Sequence, residues 1–288
     1  MKLENYRAKG VKFTNYNGKT YCGLGEDGRE IYYPLEQDVF CGKAKYVLMD
    51  LDGTSVQSEE FWIYLIEKTV QKLLGDENFS FVDEDIPFVS GFSTVEHLQY
   101  CIDKYAQGKD VLEANGIYHR LAKFELSEIL AGRGNAEAFR PRENLKEFLY
   151  ELKNRGVKIG LVTSGLDYKA IPEIVSAFRV LGMGDPKDFY DAIITGGKRK
   201  GQGDYGTLGE LAVKPHPWVY KEIALGLGIS EEEWAKTVVL EDSSAGLISG
   251  RLAGFGVLGF NDGNIKKSGL DCLAYDMVDS FDDVLRRI

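Results

Sequence analysis

One stretch near the start of the chain joins an apolar segment to two acidic residues. Residues 46–49 form a short apolar run that leads directly into Asp50, Asp52, Gly53 and Thr54. A continuous apolar run of this length predicts a strand that is covered on both faces, as in a parallel sheet. Unpaired carboxylates are costly to bury, on a scale of several kcal/mol. The two aspartates therefore indicate a site where a cation or an electrophile offsets their charge.

The residue types at this strand end suggest a particular chemistry. Asp50 is placed to act as a carboxylate nucleophile toward a Mg²⁺-bound phosphoryl group. Asp52, two residues later, is placed to donate and accept a proton. Gly53 permits the sharp turn by which the chain leaves the strand.

The second half of the chain alternates between helical and strand patterns. Apolar runs at 157–162, 189–195, 237–240 and 255–260 predict strands, and the amphipathic segments between them predict helices. This alternation predicts an α/β fold with a doubly wound parallel sheet and helices on both faces. Ligands of such sheets bind at the carboxyl ends of the strands.

A second polar cluster, Thr163, Ser164 and Gly165, follows the strand predicted at 157–162. A hydroxyl group at a strand end, with free backbone N–H groups beside it, can hold a phosphate oxygen. A helix N-cap explains Thr163 or Ser164 equally well. The cluster is therefore a candidate for substrate binding with a structural alternative.

A third cluster centres on Lys214. Pro215 keeps Lys214 out of helical geometry and fixes it at the entrance of a helix predicted from residue 217. An ammonium group held there can balance both a carboxylate nucleophile and a phosphate. We therefore include Lys214 among the candidate catalytic residues.

The fourth cluster is a pair of adjacent carboxylates, Glu241 and Asp242, at the end of the strand predicted at 237–240. Mg²⁺ prefers hard oxygen ligands and keeps part of its water shell. The candidate ligands of Mg²⁺ are Asp50, Asp52 through its main-chain carbonyl, Glu241 and Asp242.

Composition also divides the chain. Residues 59–137 show helical spacing and few strand signals, which predicts a helical insertion with Trp62 and Phe124 in its own core. Residues 45–58 and 138–288 then form the α/β core.

The first 44 residues are rich in glycine and tyrosine. They carry the hairpin-turn pair Asn17 and Gly18 and predict a short β-rich extension. Three roles remain open for it: covering a sheet edge, forming a dimer contact, or lining the rim of the active site.

Charge and cysteine usage exclude several classes of partner. The formal net charge of −10 argues against a nucleic-acid partner. No apolar run approaches the roughly 20 residues that a membrane span needs. Cys22, Cys41, Cys101 and Cys272 are far apart and form no CxxC pair, which predicts reduced thiols and a cytoplasmic location. Oligomeric state is not indicated by the sequence.

Taken together, the four clusters resemble the four motifs of the haloacid dehalogenase-like (HAD) phosphohydrolase superfamily. The resemblance covers about residues 45–288. Lys214 with the following Pro-His-Pro, and Glu241-Asp242 with the following Ser-Ser-Ala-Gly, are most similar to the β-phosphoglucomutase and phosphonatase branch. The resemblance implies a HAD-like Rossmannoid core and identifies the helical insertion as a mobile cap.

The resemblance also implies roles for individual residues. Asp50 would accept the phosphoryl group, Asp52 would be the general acid and base, Thr163 would bind phosphate, Lys214 would bridge phosphate and Asp50, and Asp242 with Glu241 would hold Mg²⁺. The implied activity is Mg²⁺-dependent hydrolysis of a small phosphorylated metabolite, such as a sugar phosphate, through an aspartyl phosphate.

A phosphomutase or a phosphonate hydrolase is the alternative from the same family. Those relatives carry a cation in the cap, in Gly-x-x-Arg or Gly-x-x-Lys, where this chain has Gly91 through Thr94 with an uncharged Thr94. Arg120 or Lys123 is a possible substitute. A fold-preserving binding module without activity is a further alternative, although neither the nucleophile nor the lysine is missing.

Residues 198–200, Lys-Arg-Lys, are interpreted as a solvated loop, with contact to a second anionic substrate group as the alternative.

Overall fold

The structure is a computed structural model that describes residues 7–8, 10–26, 29–89, 94–197 and 212–288. Two stretches interpreted above lie outside the described residues: 91–93 of the insertion and the basic stretch 198–200.

The N-terminal extension is a small antiparallel sheet, as predicted. Its strands pair in chain order: β1 (Arg7–Ala8), β2 (Val11–Tyr16), β3 (Lys19–Glu26) and β4 (Arg29–Pro34). Asn17 and Gly18 both have positive φ, 51° and 77°, and form the turn between β2 and β3. Two positive φ values at a two-residue turn match the twist of the flanking strands, which is why Asn-Gly favours this hairpin.

The remaining strands among the described residues are β5 (Tyr46–Asp50), β6 (Val56–Gln57), β7 (Arg140–Pro141), β8 (Lys158–Val162), β9 (Ala192–Ile194), β10 (Thr237–Glu241), β11 (Gly256–Phe260) and β12 (Asp276–Val278). Six of them form a parallel sheet in the order β12-β11-β10-β5-β8-β9. Every residue of β5 is buried at the centre of this sheet. The predicted doubly wound α/β fold is confirmed, and β12 is an edge strand that the sequence analysis missed.

The α-helices among the described residues are α1 (Glu59–Leu74), α2 (Thr94–Tyr105), α3 (Val111–Leu130), α4 (Leu145–Asn154), α5 (Asp167–Val180), α6 (Pro186–Phe189), α7 (Trp218–Gly226), α8 (Ser244–Leu252), α9 (Ile265–Ser268) and α10 (Phe281–Leu285). Side chains of α4, α5 and α10 belong to one buried apolar cluster, and those of α7 and α8 to a second. Both clusters include residues of the central sheet, so helices cover both of its faces.

The close packing of sheet and helix explains one glycine of β8. Gly160 pairs with Leu48 of the central strand. A Cβ at Gly160 would lie 2.7 Å from Ile223 Cδ1 of α7 and 3.0 Å from Leu48 Cδ2. Only glycine lets α7 approach the sheet this closely.

Between residues 59 and 137 the described residues form helices and turns and add no strand to the parallel sheet. Strands β6 and β7 pair antiparallel where the chain leaves and re-enters the core. Phe124 is 61% exposed, so the prediction that it lies in the core of the insertion is wrong. Helical spacing placed it on an apolar stripe, but the neighbouring helices pack on the other side of α3.

A buried carboxylate ties the insertion together. Asp85 accepts hydrogen bonds of 2.6 Å each from Tyr100 Oη, Lys104 Nζ and Tyr105 Oη. Three donors offset the cost of burying its charge. The insertion therefore has a polar centre of its own besides its apolar contacts.

The N-terminal sheet packs on the helical layer formed by α7 and α8. Phe13, Cys22 and Leu24 are buried within the apolar cluster of those helices. Tyr33 Oη and His216 Nδ1 are 3.1 Å apart, and this joins β4 to the loop that carries Lys214. The extension therefore supports a helical layer of the core, a role that was not among the three considered above, and its described strands form a sheet separate from the parallel sheet.

Among the residues that the structure describes, none of the helices combines the length and the apolar character that crossing a bilayer requires.

Candidate active site

Three of the four polar clusters lie at the carboxyl ends of adjacent strands. Strand β5 lies between β8 and β10, so Asp50 ends the central strand, Thr163 follows one neighbour and Glu241 ends the other. Lys214 reaches the same place from the loop before α7. The structure therefore brings the sequence-predicted groups together at one edge of the sheet.

Lys214 lies between two carboxylates. Its Nζ donates a hydrogen bond to Asp50 Oδ1 and forms an ion pair with Glu241 Oε1 at 2.6 Å. Its side chain is only 6% exposed. Burial alone would lower the pKa of Lys214, but the charges of Asp50 and Glu241 outweigh burial and raise it. The ammonium group is therefore charged at neutral pH.

Further hydrogen bonds fix the carboxylate of Glu241 and the loop of Lys214. Glu241 Oε1 accepts from Tyr220 Oη at 2.5 Å, and Oε2 accepts from Ser243 Oγ at 3.1 Å. The backbone N–H of Lys214 donates to Ser164 Oγ at 3.1 Å. Ser164, assigned above to substrate, thus has a structural contact that holds Lys214 in place.

Three carboxylates crowd together at this point. Oxygen atoms of Asp50, Glu241 and Asp242 lie within 4.8 Å of one another. Burial and the charge of Glu241 raise the pKa of Asp50 well above its usual range. The same two causes raise the pKa of Asp242 to about 7. A divalent cation at this position would relieve the repulsion, and an all-oxygen donor set fits Mg²⁺.

The turn after β5 contacts Asp242 of this cluster. Thr54 Oγ1 donates to Asp242 Oδ1 at 3.1 Å. Gly53 has a φ of 80°, and a Cβ there would overlap the carboxylate of Asp242. Glycine is therefore required at position 53 by both backbone conformation and space, while Thr54 holds the carboxylate of Asp242.

The carboxylate of Asp52 is held by three donors. Its Oδ1 accepts from Ser58 Oγ at 2.7 Å and from Trp62 Nε1 at 3.3 Å. Its Oδ2 accepts from Thr163 Oγ1 at 3.4 Å. These contacts orient Asp52 toward the insertion, separately from the pairing of Asp50 with Lys214.

Thr163 has a second contact within its own turn. The backbone N–H of Gly165 donates to Thr163 Oγ1 at 2.9 Å. A hydrogen bond from Gly165 to a hydroxyl two residues earlier closes a turn. It is not the helix N-cap considered above, because α5 begins at Asp167 and its N-cap residue is Leu166. Thr163 thus both shapes the turn and contacts Asp52.

A cavity of about 570 Å³ lies between the core and the insertion and is lined by residues of both. Its lining includes Asp52, Gly165 and Asp242 from the core, and Trp62 and Thr94 from the insertion. Arg120 and Lys123 are absent from the described lining residues. A cavity of this size suits a small metabolite.

Trp62 has a larger role than the sequence analysis gave it. It packs against Phe61 and Phe139, as a core residue would, and also donates to Asp52 from the cavity wall. Helical periodicity predicted that Trp62 lies on an apolar face. The sequence pattern does not indicate which group the indole N–H contacts.

Arg142 lies at this site and was not predicted from the sequence. It is buried, and its guanidinium donates to the carbonyl oxygens of Thr54 at 2.9 Å and Gly53 at 2.5 Å. It also forms a double hydrogen bond with Asp262 at 2.9 and 3.1 Å. Arg142 therefore fixes the turn that follows the two aspartates.

Comparison with known proteins identifies the fold. Residues 47–260 match the family described as haloacid dehalogenase-like hydrolase. A protein from Thermotoga maritima assigned as a β-phosphoglucomutase is 20% identical, with a TM-score of 0.59, and the match covers 85% of this chain and 99% of that one. A Haemophilus somnus protein assigned as a phosphoglycolate phosphatase is 18% identical, with a TM-score of 0.60 and coverage of 87% and 99%.

A third similar structure is CbbY from Rhodobacter sphaeroides, solved in complex with phosphate. It is 18% identical, has a TM-score of 0.56, and the match covers 84% of this chain and 96% of that chain. At these identities the likeness to solved structures concerns the fold.

Proposed function

We propose that this chain, which belongs to the haloacid dehalogenase-like hydrolase family, is a Mg²⁺-dependent phosphatase of a small phosphorylated metabolite. The observation that carries the proposal is the arrangement of Asp50 beside Lys214, with Asp52 held separately toward the cavity. A nucleophile, a fixed cation and a separate proton carrier are the parts that two-step phosphoryl transfer needs.

In the first step, Asp50 attacks the phosphorus in line with the leaving oxygen. Lys214, already bonded to Asp50, would offset charge on the phosphoryl oxygens. Thr163 would position a phosphate oxygen, with Ser164 and Gly165 shaping the turn around it. Asp52 would protonate the leaving oxygen as the aspartyl phosphate forms.

In the second step, Asp52 would remove a proton from a water molecule that attacks the phosphorus of the aspartyl phosphate. Asp50 is then released as a carboxylate and inorganic phosphate leaves. The side chains of the insertion that line the cavity, including Trp62 and Thr94, would keep bulk water away during the first step.

The metal site proposed here consists of Asp50, Asp242 and the main-chain carbonyl of Asp52, with Glu241 alongside. Glu241 is close enough to contribute, but both of its oxygens already accept hydrogen bonds or an ion pair. We therefore propose that Glu241 mainly holds Lys214. Bound Mg²⁺ would supply positive charge to the phosphate oxygens.

The proposed setting is the cytoplasm, with a small-molecule phosphate ester as the partner. All four cysteines are free thiols, and two of them, Cys22 and Cys101, are buried. The acidic net charge supports a partner other than nucleic acid.

The first prediction tests metal dependence. The enzyme should release phosphate from p-nitrophenyl phosphate in Mg²⁺, lose this activity in excess chelator, and regain it when Mg²⁺ is restored. The reason is that Lys214 supplies only one positive charge to the three carboxylates of Asp50, Glu241 and Asp242. The measurement is nitrophenol absorbance. Full activity in excess chelator would contradict the assignment of the metal.

The second prediction separates hydrolysis from a mutase reaction. A mutase must hold a bisphosphorylated intermediate while it turns round, so it needs a cationic grip in the cap for the distal phosphate. Thr94 offers one hydroxyl and no charge at the position where relatives carry that cation. We therefore expect free phosphate as the main product.

The test incubates the enzyme with β-glucose 1-phosphate, Mg²⁺ and a trace of the bisphosphate. Glucose 6-phosphate and free phosphate are both followed over time. Rapid formation of glucose 6-phosphate with little free phosphate would place the protein among the mutases instead.

A further inference from the structure

Among the described residues that line the cavity, one lysine or arginine has no carboxylate partner. Among its described lining residues, Arg142 pairs with Asp262 at 2.9 Å and Arg140 with Glu137 at 3.6 Å. Lys169, the third lysine or arginine of the lining, forms no ion pair with any described carboxylate within the 4.0 Å that defines one. Its charge is thus available to a ligand.

The contacts of Lys169 are aromatic and neutral. Its Nζ donates to Tyr118 Oη at 3.0 Å and lies 4.7 Å from the ring centroids of both Trp62 and Tyr118. Aromatic faces hold a cation in a fixed position but supply only a fraction of the attraction of an anion. Lys169 is therefore oriented by its neighbours and remains incompletely compensated.

The electrostatics of Lys169 agree with this geometry. Partial burial lowers the pKa of Lys169, and the more distant charges of Asp52 and Glu173 only partly oppose this effect. Lys169 is also the third residue of α5, near a helix N-terminus, where the helix dipole disfavours a cation. A lysine in the first turn of a predicted helix is electrostatically unfavourable, and this pattern could have identified Lys169 from the sequence.

We propose that Lys169 binds a second anionic group of the substrate, either a carboxylate or a phosphate, where the insertion meets the core. This inference rests on the proposed function, which places the reacting phosphate at Asp50. The substrates would then be phosphate esters that carry a further negative charge.

Trp62 sets where that second anion would lie. Its Nε1 donates to Asp52, while its ring contacts Lys169. One indole ring therefore spans the distance between the proton carrier and the proposed anion site. Tyr118 extends the same wall, since its hydroxyl is hydrogen-bonded to both Thr94 and Lys169. The cation thus comes from the core helix α5, whereas Thr94 belongs to the insertion, and both residues line the same cavity.

The experiment compares substrates that differ in one anionic group, a carboxylate in two pairs and a phosphate in the third. The pairs are 2-phosphoglycolate with 2-hydroxyethyl phosphate, 3-phosphoglycerate with glycerol 3-phosphate, and glucose 1,6-bisphosphate with glucose 6-phosphate. The wild-type protein should show a higher kcat/KM for the more anionic member of at least one pair. In Lys169→Gln that ratio should fall by roughly 10- to 100-fold, the usual value of a hydrogen bond to a charged group. Lys169→Arg should retain most of it.

Lys123→Gln is the matched control. Lys123 Nζ also lies over an aromatic ring, 5.5 Å from the centroid of Tyr168, but it is not among the cavity's lining residues. Its ratios should match those of the wild-type protein. Equal losses on both members of every pair in Lys169→Gln, or no preference in the wild-type protein, would overturn the proposal.

Binding to the Asp50→Asn protein keeps this test separate from the proposed function. Calorimetry should show tighter binding of the more anionic member of the favoured pair, and Lys169→Gln in the same background should remove that difference. Absence of hydrolysis of every ester would refute the phosphatase assignment alone. Equal affinities within every pair would refute the role of Lys169 alone.

Discussion

Replacing Asp50 by asparagine should stop turnover while leaving the chain folded. An amide is nearly isosteric with the carboxylate but is a far poorer nucleophile. Loss of a nucleophile commonly lowers kcat on the order of 10⁴- to 10⁶-fold. The measurement is phosphate release at saturating Mg²⁺, over a time long enough to detect the residual rate.

The fold should tolerate this change because Asp50 is held in surroundings that penalise its charge. Burial and Glu241 raise its pKa, so removing one negative charge relieves repulsion at the cluster. Lys214 keeps its ion pair with Glu241 in the variant. Circular dichroism and the thermal midpoint should therefore stay close to those of the wild-type protein.

Asp282→Asn is a suitable control because Asp282 is exposed on α10, away from the cavity. It should retain full activity. Wild-type turnover in Asp50→Asn would mean that another residue is the nucleophile.

The core of the site was predictable because its signals are local. Each of Asp50, Thr163 and Glu241 ends or follows an apolar run, and parallel strands bring their carboxyl ends to one edge. The segments between these runs that were predicted as helices are helical in the structure, as α5 and α7 show. Because these strands are neighbours in the sheet, the side chains at their carboxyl ends are neighbours as well.

Features that depend on packing between distant segments were not predictable. β12 has three residues, begins with an acid and pairs only at the sheet edge, so it lacks the apolar run of a central strand. The contacts of Trp62 with Asp52 and Lys169 join α1, the turn after β5 and α5, which are separated along the chain. Hydrophobic periodicity predicts each helix or strand separately and gives no information about contacts between distant elements.

Replacing Asp52 by asparagine should slow turnover of alkyl phosphates by roughly 10²- to 10⁴-fold, the usual contribution of general acid–base catalysis. The amide fits the site. Its oxygen can accept from Ser58 and Trp62, and its NH₂ can donate to the hydroxyl oxygen of Thr163. The loss should therefore reflect proton transfer and not a displaced side chain.

The choice of leaving group separates the two proton transfers of Asp52. A nitrophenolate leaves without protonation, so Asp52→Asn should still transfer the phosphoryl group of p-nitrophenyl phosphate to Asp50. Hydrolysis of the aspartyl phosphate needs a base and should become rate-limiting. Rapid-mixing absorbance should then show a burst of nitrophenol approaching one equivalent of enzyme, followed by a slow steady rate. Intact-protein mass spectrometry should detect the phosphorylated chain during that slow phase.

A steady rate without a burst, or wild-type turnover of alkyl phosphates, would assign proton transfer to another group. The most direct alternative is Glu173, which is buried in the cavity wall near Asp52.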